Sequence, residues 1–244
     1  MNQRKILLCS SSKVADSDYL EPVIPQLLRH LHEQLDAQQS CDVLFVPFAG
    51  VGMSYDDYTA KVAAQLEPHG LRVQGLHQVA EPAAAISSAT AILVGGGNTF
   101  HLLAELQQQQ LVTPLQDAVA AGVPYIGWSA GSNIAGLSIR TTNDMPIVEP
   151  ASFNALALVP FQLNPHYTDY QPPGFHGETR DQRLAEFMVV APETPILAIR
   201  EGTALQIIED QMTLLGSEDG FVFQGGHKAQ LPCNTDISSW LAGK

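Results

Sequence analysis

The segment GWSAG at residues 127–131 contains a serine, Ser129, between two glycines and directly after an apolar run. In a strand-to-helix turn of the G-x-S-x-G type, the serine hydroxyl is exposed and the glycines relieve crowding with the neighbouring chain. The residues that follow, AGSNIAGLS, are helix-like, so the context that the pattern requires is present. The pattern therefore predicts that Ser129 is a nucleophile. The alternative is a glycine-rich turn without chemistry, in which Ser129 caps the next helix.

A nucleophilic serine needs a base that accepts its proton and an acid that orients the base. Among the eight histidines, His166 is in the proline-rich loop QLNPHYTDYQPPG, after an apolar run. Catalytic groups collect on loops at strand ends, which favours His166. His176 in GFHGETR and His227 in GGHKAQ are competitors, and His101 follows the glycine run. The residue types alone leave this choice open.

The orienting acid also has more than one candidate. Glu201 directly follows the apolar run PILAIR and precedes a glycine, as expected for a residue at a strand end. Asp144 is in the polar loop RTTNDMPIVEP after the serine helix, and Asp169 and Glu178 are in weaker settings. Spacing alone does not choose among these four residues.

Acyl transfer also needs backbone N–H groups that point at the developing oxyanion. The N–H of Ala130, next after the serine, is the usual first donor. The run VGGGNTFHL at 94–102 combines a strand, three glycines and a helix start, so it can expose a second N–H near Gly97. A phosphate or dinucleotide site is the alternative for this run. The run is not G-x-G-x-x-G, however, and no strand-end acid follows at the expected distance.

The elements that position these residues alternate along the chain. Nearly continuous apolar runs predict buried parallel strands at 5–10, 42–48, 71–76, 91–96 and 123–128. Helical patterns predict helices at 18–38, 55–67, 81–88, 98–109, 111–121 and 179–190. This order predicts a doubly wound, mostly parallel α/β sheet with helices on both faces, whose ligands bind at the carboxyl ends of the strands. After residue 150, the short runs PILAIREG, ALQIIEDQMTLLG and DGFVFQGG, joined by turns, predict an antiparallel C-terminal edge of the sheet. We expect 1–244 to be one catalytic domain.

Composition excludes several classes of function. A net charge of −13, with only 12 Lys and Arg, argues against a nucleic-acid partner, because phosphate binding depends on basic residues. No segment approaches the ~20 apolar residues that cross a bilayer, so we expect a cytoplasmic protein without a membrane partner. The three cysteines are far apart and odd in number, which argues against a disulfide framework. The histidines and acids form no H-E-x-x-H or similar set, so neither a metal nor a cofactor is expected.

Five segments occur in order between residues 94 and 183: VGGGNTF, GWSAGSN, TTNDMPI, LNPHYTD and GETRDQR. Together they resemble the peptidase E family of serine peptidases, which also includes cyanophycinase-like enzymes. The resemblance implies a fold similar to that of class I glutamine amidotransferases. Those enzymes have a cysteine at the elbow, whereas this chain has Ser129 there, and that difference indicates the peptidase branch.

The resemblance implies a catalytic triad and thereby chooses among the candidates. Ser129 in GWSAG matches the nucleophile, His166 in NPH matches the base, and Glu201 in AIREG matches a glutamate after the following strand. The N–H groups of Gly97 and Ala130 are the expected oxyanion hole.

The implied substrates are dipeptides, and some aspartyl amides, with a free N-terminal aspartate. Arg180 in GETR is expected to bind the aspartate carboxylate in a bidentate pair. Its alternative is a salt bridge at the helix start with Asp181 or Glu178, and Arg140 is a rival for the carboxylate.

Two further residues complete the expected substrate site. Asp144 is expected to face the substrate ammonium or to organise the serine elbow, and Asn98 is expected to contact the substrate. Two other functions stay open. The first is a cyanophycinase-like or isoaspartyl-cleaving hydrolase with the same triad, and the second is a non-catalytic module that binds a small anion or a protein. The oligomeric state is not determined by the sequence.

Overall fold

The structure of the protein is a computed structural model, and it describes residues 4–32 and 41–242. Seven strands form the main sheet: β1 (Lys5–Cys9), β2 (Cys41–Val46), β3 (Leu71–Gly75), β4 (Ile92–Val94), β5 (Tyr125–Trp128), β8 (Ala204–Ile208) and β9 (Gln211–Leu215). Their order is β3-β2-β4-β5-β1-β8-β9. The first five strands in this order are parallel, and β8 and β9 extend the sheet in antiparallel pairing. The predicted fold class and its antiparallel edge are confirmed.

The remaining four strands form a second sheet: β6 (Gln162–Asn164), β7 (Ile196–Ala198), β10 (Gly220–Gln224) and β11 (His227–Leu231). Their order is β11-β10-β7-β6, and β6 and β7 are parallel neighbours. The run PILAIREG, predicted at the edge of the main sheet, therefore belongs to a separate sheet. Apolar periodicity predicts that a segment is a strand, but it does not predict which strand pairs with it.

In the described part of the chain, seven α-helices connect the strands: α1 (Ile24–His32), α2 (Tyr55–Leu66), α3 (Pro82–Ser87), α4 (Thr99–Gln108), α5 (Val112–Ala120), α6 (Ala130–Asn133) and α7 (Arg180–Val190). The helix predicted at 18–38 begins later, at Ile24, because residues 18–23 form turns. Its predicted end at 33–38 lies outside the described residues. The helix after Ser129 is also shorter than AGSNIAGLS, since it ends at Asn133.

The arrangement of the strands brings loops from both sheets together. One buried apolar cluster includes side chains from the main sheet, such as Leu8, and from the second sheet, such as Leu163 and Leu197. The two sheets therefore share a core that fixes their relative position. Ser129 directly follows β5 of the main sheet, whereas His166 and Glu201 follow β6 and β7 of the second sheet. The carboxyl ends of these strands form the site.

Candidate active site

Ser129 adopts a backbone conformation that ordinary residues avoid. Its φ is 55° and its ψ is −114°, between the end of β5 and the start of α6. Its N–H donates to the carbonyl of Cys9 at the end of β1, with an N···O distance of 3.1 Å. Such strain persists only where the surroundings enforce it, and it is typical of a nucleophile elbow. The elbow expected from GWSAG is therefore present in the structure.

The two glycines of this pentapeptide are required by close approach of backbone. A Cβ on Gly131 would overlap the carbonyl of Val94 in β4, and a Cβ on Gly127 would overlap the carbonyl of Gly131. The hydroxyl of Ser132 then fixes the turn, since it lies within hydrogen-bond distance of the carbonyl oxygens of Cys9 and Gly127, at 2.7 and 2.8 Å. The elbow is thus held on three neighbouring strands.

Ser129, His166 and Glu201 form a continuous hydrogen-bonded row. Nε2 of His166 lies 2.8 Å from Oγ of Ser129, and Nδ1 lies 2.7 Å from Oε1 of Glu201. The imidazole is partly exposed, with 37% of its side-chain surface accessible, and the glutamate is 49% accessible. These three side chains come from loops after β5, β6 and β7. In this geometry the histidine can take a proton from the serine while the carboxylate orients the ring.

The other histidines that the sequence offered do not join this row. His176 is exposed on a loop and His227 is exposed at the start of β11, and neither lines the cavities at Ser129. His101 lies on α4, and its Nδ1 is 2.7 Å from the carbonyl oxygen of Phe48, so it has a structural partner.

Two backbone N–H groups near Ser129 have the character expected of oxyanion donors. Among the described residues, neither Gly97 nor Ala130 donates its N–H to a protein acceptor. Gly97 has a φ of 137°, and a Cβ there would overlap the carbonyl of Ala49, so only glycine fits this loop. The neighbouring Gly96 packs directly against Ser129. The glycine loop and the elbow therefore lie side by side.

Asn98 and Asp144 organise the start of α4. The Asn98 side chain accepts from the N–H of His101 and donates to the carbonyl of Met145, at 3.0 and 2.9 Å. Oδ2 of Asp144 accepts from the N–H of Thr99 at 2.7 Å and also from the Thr99 hydroxyl. This carboxylate occupies the place that a phosphate would take at the helix N-terminus, which argues against the phosphate alternative. Asp144 thus ties its loop to α4 rather than to the elbow helix.

Arg180 is a half-buried cation without a carboxylate partner among the described residues. Its guanidinium contacts Oδ1 of the buried Asn164 at 3.4 Å. Burial and the nearby Arg183 hold the pKa of Arg180 below its usual value. As the first residue of α7, it also places a positive charge at the positive end of the helix dipole. Burial, the neighbouring Arg183 and the helix dipole all disfavour this charge in the folded protein, which is typical of a residue that binds a ligand.

The salt bridge considered for Arg180 from the sequence is wrong. Glu178 pairs with Arg183 at 3.0 Å, and Asp181 pairs with Lys228 at 2.8 Å. Both acids are therefore engaged by other cations. Arg140, the rival for the substrate carboxylate, is exposed and lines neither cavity at Ser129.

Ser129 and His166 separate two cavities, which we call the acyl cavity and the groove. The acyl cavity, of about 130 Å³, is lined by Thr99, Ser129, Ala130, Asn133, Thr142, Asn143, Asp144, Pro165, His166 and Arg180. It thus contains a cation and an anion beside the serine. The groove, of about 410 Å³, lies on the side of the glycine loop and is lined by several apolar residues. A substrate that spans both cavities would have its scissile bond at Ser129.

Asn133 is a residue of the acyl cavity that the sequence analysis missed. Its Nδ2 donates to the carbonyl of Leu163 at 2.8 Å, which fixes the orientation of the amide. Its Oδ1 is buried and has no hydrogen-bond partner among the described residues. The signal was available, since Asn133 is four residues after Ser129 and such residues share a helix face. The described residues contain no cluster of three His, Cys, Asp or Glu that could hold a metal ion, and no helix long and apolar enough to span a membrane.

A parallel α/β sheet with a strained serine at a strand end defines the class of serine hydrolases. Residues 6–215 match the model of peptidase family S51. The chain is 50% identical to peptidase E of Shewanella amazonensis over 99% of this chain and all of that protein. It is 52% identical to peptidase E of Shewanella baltica OS155, over 96% of this chain and 97% of that protein. The chain therefore belongs to peptidase family S51, and it is a serine peptidase rather than a non-catalytic module.

Two solved structures resemble this fold. A protein from Listeria monocytogenes EGD-e, assigned to peptidase E, has a TM-score of 0.66 at 26% identity, and the match covers 88% of this chain and 99% of that one. A peptidase from an acI-B1 Actinobacterium has a TM-score of 0.69 at 16% identity, with 97% of both chains covered. At that identity, the second likeness concerns the fold alone.

Proposed function

We propose that the protein hydrolyses α-aspartyl dipeptides that have a free N-terminal aspartate, through a Ser129–His166–Glu201 triad and an acyl-enzyme. The observation that carries this proposal is Arg180, a half-buried guanidinium that has no carboxylate partner among the described residues. It lines the same small cavity as Ser129 and His166. An anionic side chain on the acyl residue of the substrate supplies the missing partner. Aspartate is the shortest such residue with a free ammonium beside the scissile carbonyl.

The reaction divides into acylation and deacylation. His166 accepts the Ser129 proton at Nε2 as Oγ attacks the scissile carbonyl, and Glu201 holds the Nδ1–H of the imidazolium. The N–H groups of Gly97 and Ala130 stabilise the oxyanion. The imidazolium then protonates the leaving amine, and the peptide C–N bond breaks to give the aspartyl ester of Ser129. Water, deprotonated by His166, attacks this ester and releases aspartate with the serine regenerated.

The acyl cavity fits the charges of an N-terminal aspartate. Arg180 binds the side-chain carboxylate as a two-point hydrogen-bonding partner. Oδ2 of Asp144 accepts hydrogen bonds from Thr99 at the start of α4, and its other oxygen, Oδ1, binds the substrate ammonium. Asn98 contributes on the opposite side, where it lines the groove beside Gly97. At about 130 Å³, the acyl cavity admits one residue and thereby restricts cleavage to the first peptide bond.

The first experiment measures p-nitroaniline release from α-aspartyl-p-nitroanilide, with leucyl and β-aspartyl analogues as comparison substrates. The proposal expects turnover of the α-aspartyl compound alone and its loss in Ser129→Ala. Cleavage of only the β-linked compound would instead favour an isoaspartyl-cleaving hydrolase with the same triad. If folded enzyme cleaves the leucyl compound as well as the α-aspartyl one, the anionic specificity is refuted.

Arg180 has a matched control on the same protein. Arg180→Met is expected to lower kcat/KM for α-aspartyl-p-nitroanilide by about 100-fold, because a charge-assisted pair is removed from a partly desolvated site. Arg140→Met removes an exposed arginine that lines neither cavity and is expected to change kcat/KM little. Equal losses in the two variants would refute the assignment of Arg180.

A further inference from the structure

The groove beside Ser129 has an apolar wall that faces solvent. Val51, Met53 and Ile147 line it and are 53%, 41% and 52% exposed. Val51 and Met53 belong to the loop between β2 and α2, and Ile147 comes from the loop after the elbow helix. Grouped exposed apolar side chains are a feature of ligand-binding grooves. Because this wall lines the same groove as Ser129 and His166, a molecule bound against it is expected to be part of the substrate.

One cation, Lys61, also lines this groove. Its ammonium lies 4.1 Å from the centroid of the Tyr19 ring, and it makes no ion pair within the described part of the chain. Asp57, one helical turn earlier, accepts from the Ser54 hydroxyl at 2.7 Å instead. An unpaired ammonium is notable in a chain with a net charge of −13. It provides a local positive site in a groove whose other lining residues include no Lys, Arg, Asp or Glu.

A series of contacts joins Lys61 to the serine along the floor of the groove. Gly96 packs against Ser129, and its carbonyl accepts from the Tyr58 hydroxyl at 2.9 Å. The Tyr19 hydroxyl donates to the Tyr58 hydroxyl at 3.2 Å, and the Lys61 ammonium makes a cation–π contact with the Tyr19 ring. Lys61 is therefore separated from Ser129 by Gly96, Tyr58 and Tyr19, and its long side chain can move towards a ligand in the groove.

We propose that this groove binds the leaving residue of the dipeptide, with its side chain against Val51, Met53 and Ile147 and its terminal carboxylate at Lys61. The inference rests on the proposed aspartyl dipeptidase function, because Arg180 then holds the acyl residue on the other side of Ser129. Arg180 binds the side-chain carboxylate of the first residue, and Lys61 binds the terminal carboxylate of the second. A longer peptide or a C-terminal amide lacks the carboxylate at the position that Lys61 reaches. Lys61 thus selects for dipeptides, and the apolar wall selects large apolar leaving residues.

The charge contact is tested with aspartyl-leucine and its C-terminal amide, which differ only in the terminal carboxylate. Wild-type enzyme is expected to prefer the free acid by about tenfold in kcat/KM, as a charged hydrogen bond provides. In Lys61→Met the preference is expected to fall towards one, and Lys61→Arg is expected to restore most of it. An unchanged preference in Lys61→Met overturns the inference, as does an equal loss on both substrates.

The apolar wall is tested with aspartyl-leucine against aspartyl-glycine. Met53→Ser is expected to lower the leucine-to-glycine ratio of kcat/KM several-fold. Val189→Ser removes an 83% exposed valine on α7 that does not line the groove, and it serves as the matched control. A ratio that is the same in Met53→Ser and Val189→Ser overturns this part. If the wild-type enzyme cleaves neither dipeptide, the proposed function itself is refuted. If it cleaves both without these preferences, only the proposed binding of the leaving residue in the groove is refuted.

Discussion

Ser10 accepts a hydrogen bond from the backbone N–H of His166 at 2.8 Å, although the two residues are 156 positions apart. The same hydroxyl donates to the carbonyl of Ile199 at 2.9 Å. Ser10 directly follows β1 of the main sheet, whereas His166 and Ile199 follow strands of the second sheet. One fully buried hydroxyl therefore joins the two sheets beside the hydrogen-bonded row of Ser129, His166 and Glu201. It also supports His166 in a backbone conformation with a φ of 54°.

Ser10→Ala is expected to lower kcat for aspartyl substrates about tenfold with little change in KM, because the imidazole loses its fixed distance to Ser129. It should also destabilise the protein by about 1–3 kcal/mol, since the buried carbonyl of Ile199 and the part-buried N–H of His166 lose their partner. Steady-state kinetics and urea unfolding measure the two effects. Ser11→Ala, which removes a local bond to the Lys13 carbonyl, is the control. A drop in stability without a change in kcat would show that Ser10 is only structural.

Glu201→Gln is expected to lower kcat about 100-fold, because a neutral amide no longer stabilises the imidazolium. The loss should be smaller than for a buried triad acid, since this carboxylate is 49% accessible and water screens its charge. The measurement is kcat at saturating substrate, together with an unfolding curve that shows an intact fold. Glu193→Gln changes an exposed acid outside the cavities and should retain wild-type kcat. Full activity in Glu201→Gln would show that Glu201 is not the acid that orients His166.

Gly131→Ala is expected to destabilise the protein by about 3 kcal/mol or to prevent folding, because the new methyl group would overlap the Val94 carbonyl. Gly52→Ala is the matched variant, since a Cβ there has open space and no positive φ is required. Thermal unfolding of the two variants gives the comparison. Similar melting temperatures for both would mean that the elbow tolerates a side chain at this position.

His30 makes stability depend on pH. This side chain on α1 is fully buried, and burial lowers its pKa from 6.5 to about 4. Because the unfolded chain binds the proton more readily, stability is lost as the pH falls below about 6.5. Between pH 7 and pH 5 the loss is expected to be about 2 kcal/mol. Urea unfolding at both pH values measures it.

Two variants separate the contribution of His30 to this pH dependence from that of the other histidines. In His30→Met the loss of stability between pH 7 and pH 5 should largely disappear, whatever the overall stability of the variant. His69→Gln replaces an exposed histidine and should keep the wild-type difference. An equal pH dependence in His30→Met and wild type would assign the effect to other groups.

The sequence determined the parallel half of the fold and the elbow. Continuous apolar runs identify buried strands. The elbow is visible in the sequence GWSAG because neighbouring backbone lies too close to Gly127 and Gly131 for any side chain, so both positions must be glycine. Sequence patterns did not predict the second sheet, because an apolar run does not specify its pairing partner. They also did not predict that the helix expected from residue 18 starts at Ile24, where local turns replace the helical hydrogen bonds of residues 18–23.

At the site, residue types and the family resemblance supplied Ser129, His166 and Glu201 as candidates, because nucleophile, base and acid are chemically distinctive. Only the tertiary structure decided which cations line the two cavities at Ser129. Arg180 and Arg140 are alike in sequence terms, but Arg180 lacks a carboxylate partner within the described chain because Glu178 and Asp181 pair elsewhere. Lys61 likewise gave no signal in the sequence. The partner of a charged side chain, and hence its freedom to bind a ligand, depends on which side chains the folded chain brings near it, such as Lys228 of β11 beside Asp181 of α7.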